Sequence, residues 1–190
     1  MSNSITVNND RFVLYISERR IEARVKKLGQ IISRQYKGRV PIFIGILNGS
    51  FIFMSDLIRY VTIDCEIDFM KLSSYGDAKI SSGNVTMLKE LNCQVEGRDI
   101  IIVEDIVDSG LSVDFILRLI KQHHPRSYKV VSLLYKKDAL KIDVPVDYIG
   151  FTIPNYFVIG YGMDHSQKVR NLRSIYRLAD HQRKKPVKAL

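Results

Sequence analysis

Nine consecutive residues carry the densest chemistry in the chain. Glu104-Asp105-Ile106-Val107-Asp108-Ser109-Gly110-Leu111-Ser112 follows directly on the apolar run Ile100–Val103. Open parallel sheets present ligands beyond the carboxyl ends of their strands, and three carboxylates and two hydroxyls stand at that place. Glu104 and Asp105 repel a phosphate but suit vicinal hydroxyls or a hydrated Mg²⁺. Asp108-Ser109-Gly110 then leads into helical spacing. A glycine before a helix start offers unpaired N–H groups and a positive dipole end, which suits a phosphate monoester. Ser109 and Ser112 add hydroxyl donors. As chemistry, the segment asks for a sugar phosphate, with acids on the hydroxyls and amides on the phosphate. The ordinary alternative is an acidic turn with a helix cap. Carboxylates directly after a buried strand are uncommon without a task.

Other residues must place that segment. Ser17-Glu18 opens a helix through Ile21, Val25, Leu28, Ile32 and Tyr36, with Ser17 as N-cap and Gly38 as stop. Val40–Ile46 reads as a strand buried on both faces. Ser50–Tyr60 reads as a helix, and Ile63–Leu72 as a strand with Ile67 and Phe69 inward. Ser73–Asn84 is a Ser- and Gly-rich loop. Val85–Leu88 reads as a short strand, Leu111–His123 as a helix and Val130–Tyr135 as a third buried strand. Asp147–Phe151 and Phe157–Ile159 are short late strands. Strands alternating with helices predict an α/β fold, a mostly parallel twisted sheet flanked by helices. No repeat or linker interrupts residues 1–190, which read as one domain. The N-terminal residues and about 136–190 would form a small subdomain over the sheet.

Composition bounds the possibilities. In 190 residues, 46% are apolar and 26% charged, as in folded globular proteins, so disorder and fibrous repeats are excluded. No apolar run reaches the ~18 residues of a membrane-spanning helix. The polar start lacks the apolar segment of a secretory signal. Cys65 and Cys93 cannot build a disulfide framework, which makes the reducing cytoplasm the expected compartment. The net charge is +9, and residues 11–39 hold nine basic against two acidic side chains. Such a segment is either a solvated helix face or a footprint for phosphorylated partners.

Val103–Ser112 resembles the 5-phosphoribosyl 1-pyrophosphate (PRPP) signature of the type I phosphoribosyltransferases. More narrowly, residues from about Ile42 to about Ile175 are similar to the hypoxanthine–guanine phosphoribosyltransferases. The resemblance implies the type I phosphoribosyltransferase fold with a small hood, Mg²⁺ as cofactor, and a homodimer or homotetramer. It implies that the Asn48–Gly49 loop binds pyrophosphate through its amides, with a cis peptide between Leu47 and Asn48. Many relatives have lysine in place of Asn48. Glu104 and Asp105 match the ribose-holding acids, and Ser109, Gly110, Leu111 and Ser112 match the 5′-phosphate turn. Asp108 matches the residue beside purine N7, the proposed general base or acid. Lys136 matches the donor to the purine 6-oxo group, with Lys137 as its neighbour and rival. Phe157 matches the aromatic that stacks on the base, with Tyr156 as rival, and Val158 a backbone that reads the base edge. Asp164 matches an acid that helps place Mg²⁺ near pyrophosphate and lies beside purine C2. Glu104, Asp105 and Asp164 are thus the implied metal-facing acids. Arg170 matches a pyrophosphate-contacting arginine, and Ser74 and Tyr75 match the mobile lid.

The implied reaction is purine salvage, in which hypoxanthine or guanine and PRPP give a nucleoside monophosphate and pyrophosphate. A rival is a regulator of the same fold that binds nucleic acid through its basic segments. Retention of Lys136, Phe157, Asp164, Arg170 and Asp108 together argues for the enzyme.

Overall fold

The computed structural model describes residues 3–74, 85–89 and 91–179. The chain opens with a hairpin, β1 (Ser4–Val7) and β2 (Asp10–Ile16), joined through Asn8-Asn9 with both φ positive. Helix α1 (Glu18–Gln35) follows. Then come β3 (Ile42–Leu47), α2 (Phe51–Arg59), β4 (Glu66–Ser74), β5 (Val85–Lys89) and β6 (Asp99–Val107). The second half holds α3 (Leu111–Gln122), β7 (Ser127–Tyr135), β8 (Tyr148–Thr152), β9 (Val158–Ile159) and β10 (Ile175–Leu178).

Two sheets result. The larger has the order β5-β4-β3-β6-β7-β8, parallel except for β5. The smaller has the order β1-β2-β10-β9 and is antiparallel. Because β8 joins the larger sheet, the smaller draws on residues 4–16 and 158–178 rather than on everything beyond 136.

Central strands covered on both faces must be apolar throughout, and β3 and β6 are. Phe43, Ile101 and Val103 pack with Ile21, Val25, Leu28 and Ile32 of α1 and with Phe53 and Leu57 of α2. Ile42, Ile44, Ile100 and Ile102 face Val113, Ile116 and Ile120 of α3. Each such side chain contributes roughly 1.5–3 kcal/mol by leaving water. The alternation slips by one residue at Glu104–Asp105. Before them Ile101 and Val103 share one layer, but after them Ile106 joins that layer and Val107 the other. Irregularities of this kind re-aim side chains at strand ends.

Some local expectations fail for identifiable reasons. Ile67 is 48% exposed, while Asp68 takes the buried position and accepts the amides of Asn92 and Cys93. Ser17 makes no side-chain cap; instead the Glu18 N–H donates to Ser174 Oγ at 3.0 Å, pinning α1 to the smaller sheet. β6 runs through Glu104 and Asp105 to Val107, and β4 runs through Ser74. Ser74 therefore ends a strand rather than lying in a loop. Tyr75 and the rest of the expected lid lie outside the described residues, as does the segment 181–190, whose sequence holds Arg183, Lys184, Lys185 and Lys188 and no acid. Among the described residues no helix is long and apolar enough to cross a membrane.

Candidate active site

From β3 the chain crosses to β4 on one side, while β6 leads to β7 and β8 on the other. The strand order therefore reverses between β3 and β6, and ligands bind in the crevice beyond such a switch point. The Leu47–Ser50 loop and the Glu104–Ser112 segment both emerge there.

These segments interlock with a third. A Cβ built on Gly49 would lie 2.1 Å from Asp105 Oδ2, so only glycine lets the loop meet that carboxylate. On its other side, Gly162, at φ +99, lies so close that its Cβ would fall 2.2 Å from the Gly49 carbonyl oxygen. The Leu47–Asn48 peptide is cis. Gly162 continues into Asp164, whose Oδ1 is 2.6 Å from Arg170 Nη2, and Arg170 Nη1 donates to the Gly162 carbonyl at 2.8 Å. The structure thus brings Gly49, Asp105, Asp164 and Arg170 to one place.

The acids there are electrostatically uneasy. Burial, with Asp105 alongside, holds the Glu104 carboxyl well above the usual carboxylate range. Burial raises Asp105 to about 6, against the pull of its own and the Ile106 amide and of Arg170, while Asp164 adds to the rise. A cation or hydroxyl donors would relieve this strain. Among the described residues no three His, Cys, Asp or Glu side chains converge to hold a metal, so Glu104, Asp105 and Asp164 do not form a cage of their own.

The Ser109–Ser112 turn is built at the start of α3. Gly110 adopts φ +82 as its N-cap residue, and a Cβ there would meet the Ile142 carbonyl oxygen at 2.5 Å. Ser109 Oγ is 3.4 Å from the Leu111 amide, and the Ser109 carbonyl accepts the Lys141 amide at 2.9 Å. The turn is thereby tied to the segment before β8, and a helix N-terminus, a favourable place for an anion, opens directly after it.

Lys136 stands directly after β7. Its side chain is buried, and Nζ lies 2.8 Å from Oδ2 of Asp108, which is 51% exposed. A buried ammonium persists only when paired, and Asp108 supplies the charge. Asn155 Oδ1 is a weaker second partner at 3.4 Å. Lys137 is exposed, which leaves Lys136 as the inward lysine. Phe157 is 48% exposed just before β9, whereas Tyr156 packs edge-on against Tyr15 and beneath Arg177. The available ring is therefore Phe157. Among the described residues Val158 lies on the edge strand of the smaller sheet, beside β10.

Comparison with known proteins agrees with this geometry. Residues 15–166 match the phosphoribosyl transferase domain family. The chain is 44% identical to a hypoxanthine-guanine phosphoribosyltransferase of Bacillus subtilis over 157 residues, which covers 83% of this chain and 87% of that one. The chain belongs to the hypoxanthine–guanine phosphoribosyltransferase family. A crystal structure of a Bacillus anthracis member superposes with a TM-score of 0.84 at 39% identity, covering 87% of this chain and 98% of the other. A bifunctional protein of Listeria monocytogenes, TilS/HprT, is 41% identical over 167 residues, 88% of this chain. The chain spans about a quarter (26%) of the length of that relative.

Other parts of this phosphoribosyltransferase site had no role assigned from the sequence. Gly162 closes on Gly49 from more than a hundred positions away. His165 packs edge-on to Phe157 at 5.5 Å and beside Phe12 at 5.9 Å. Its Nε2 is buried 3.5 Å from Asp10 Oδ2 without a hydrogen bond. Asn155 was likewise unmarked, since its role depends on where Lys136 points.

Proposed function

We propose that the chain transfers the 5-phosphoribosyl group of PRPP to N9 of hypoxanthine or guanine, releasing pyrophosphate. The observation that carries this reading is the Lys136–Asp108 pair. A 6-oxopurine presents an acceptor at O6 beside an N–H at N7, and a buried donor touching an exposed carboxylate is the complement of that edge. Adenine presents a donor at the 6-position, which an ammonium cannot accept. Phe157 would stack on the ring, Val158 and Asp164 would face its C2 side, and the Ser109–Ser112 turn would hold the 5′-phosphate.

In the reaction, the N9 lone pair forms the bond to ribose C1′ as the bond from C1′ to the pyrophosphate oxygen breaks, and that electron pair leaves with pyrophosphate. Asp108 takes the N7 proton, and its charge faces the cationic sugar. The Asn48 and Gly49 amides and Arg170 stabilise the departing group. Lid closure over Ser74 and Tyr75 would exclude water. The donors fit Mg²⁺, a hard ion that takes one or two carboxylates and completes its shell with substrate oxygens and water. Glu104, Asp105 and Asp164 are the acids that would face it, and when bound it neutralises developing charge on pyrophosphate.

We further infer a cytoplasmic protein, consistent with the unpaired Cys65 and Cys93. Self-association as a dimer or tetramer would cover apolar residues such as Phe51, 57% exposed at the start of α2. The decisive experiment incubates the chain with PRPP, Mg²⁺ and single nucleobases, and measures pyrophosphate and nucleotide. Turnover of hypoxanthine or guanine without adenine supports the reading; equal use of adenine defeats it.

A further inference from the structure

The transferase site leaves the basic excess unused, and the structure shows where it goes. At 100° per residue, Arg19, Lys26, Lys27, Arg34 and Lys37 fall within an arc of roughly 100° on α1 and its continuation, with Ala23 and Gln30 between them. All seven are exposed. The nearest helix acids, Glu18 and Glu22, lie off this arc, and Glu18 is turned to Arg173 and Glu22 to Tyr60. Among the described residues none of the five cations is in an ion pair, although Arg34 Nε donates to the Gln30 carbonyl.

The stripe does not stop at the helix. A cavity of about 480 Å³ beside it is lined by Arg34 and Lys37. Beyond the Gly38 turn, a second of about 450 Å³ is lined by Arg39, Arg98 and Arg126, with Glu66 as its one acid. Arg39 and Arg126 share a single fully buried carboxylate, Asp99, and remain about half exposed, at 52% and 53%. Arg98 is held by Glu66. Eight cations thus follow one path along the helix and around its end.

From this path we propose that the α1 face and the adjoining arginine notch bind the phosphate backbone of a nucleic-acid duplex. Helix α1, 18 residues and about 27 Å long, runs beside a span over which a duplex carries some fifteen charges. Arginines at the end of the path can fork onto phosphate oxygens. No aromatic lies on the stripe to stack on bases, which favours a duplex over a single strand. The helix buries its apolar face in the core and offers no apolar wedge to a bilayer. Two copies of so acid-free a face repel each other. The notch sits at the start of β3, about 20 Å along the strand from Gly49, so the surface is separate from the transferase site.

The test measures fluorescence anisotropy of labelled 20-base-pair RNA and DNA duplexes with the full chain across KCl concentrations, beside the variant Lys26→Gln/Lys27→Gln/Arg34→Gln/Lys37→Gln. At 0.1 M salt the variant should bind at least about tenfold more weakly, and its slope of log K against log salt should be shallower by about 3. Binding of both duplexes supports pure backbone contact, and binding of one identifies the form the surface fits. Transferase kcat and the KM for PRPP should be unmoved, which separates this surface from substrate capture. Three results overturn it: equal binding by variant and wild type, loss only in Lys184→Gln/Lys185→Gln, or capture by phosphatidylserine vesicles without duplex binding.

Discussion

Asp108 and Lys136 are each other's partner before any purine arrives. A ligand presenting O6 and N7–H exchanges one donor–acceptor contact for two, so the pair selects its substrate by what the contact leaves unsatisfied. Asp108→Asn removes the proton acceptor and the counter-charge while keeping the shape. Its turnover should fall about 10²-fold or more with PRPP binding retained, measured by steady-state rates and PRPP titration. Lys136→Gln, whose amide oxygen can accept from a 6-amino group, should raise kcat/KM for adenine relative to hypoxanthine about tenfold. An unchanged ratio would remove Lys136 from base recognition. His165 acts one contact further out, through the edge of Phe157. His165→Phe should leave the hypoxanthine KM nearly unchanged, and His165→Ala should raise it several-fold, about 0.5–1.5 kcal/mol, without moving the PRPP KM.

At the scale of elements, the site is a contact between three loops that meet at glycines. Gly49→Ala drives a methyl into the Asp105 carboxylate and must displace the loop or the acid. Overpacking of this kind costs about 1–3 kcal/mol. We expect the PRPP KM to rise at least tenfold while the hypoxanthine KM changes far less, by initial-rate kinetics. Such contacts are illegible locally, because Gly49, Asp105 and Gly162 are linked only through the sheet. The Glu104–Ser112 motif is legible because its chemistry is contiguous, and its exit from an apolar run fixes which end of the sheet it occupies. The α1, α2 and α3 spacings also read directly, since each helix buries one apolar stripe. The short strands β5, β8 and β9 read as well, but β1, β2 and β10 did not. The β1–β2 hairpin carries its signal in Asn8-Asn9, two residues that tolerate positive φ, and β10 has only four residues to show. In β4 the expectation fails at Ile67, where Asp68 takes the interior by accepting backbone amides, and holds at Phe69, which packs against the core.

Over the whole molecule, one strand carries acids of opposite character at its two ends. At the start of β6, Asp99 is fully buried yet held below the usual carboxylate range by hydrogen bonds from Arg126 and Ser127, with Arg39 nearby. At its end, Glu104 and Asp105 are raised because burial is uncompensated. The first arrangement stabilises the fold; the second leaves charge waiting for a ligand. Their pH dependences have opposite signs. The contribution of Asp99 is complete above the unfolded value near ~3.9 and is lost as pH falls through its depressed folded value. Protonated Asp105 is tolerated in the interior, so its contribution is complete below ~3.9 and is lost as pH rises through about 6. Asp105→Asn, which removes this charge, should therefore stabilise the ligand-free protein at pH 7.5, by roughly 3 kcal/mol at most, and do little at pH 4. Asp99→Asn should destabilise at pH 7.5, because it strips the shared carboxylate from Arg126 and Arg39. Urea unfolding of the three proteins at both pH values measures this. An Asp105→Asn protein less stable than wild type at pH 7.5 would mean that its carboxylate is already compensated, and that the site does not hold its acids in reserve for a cation.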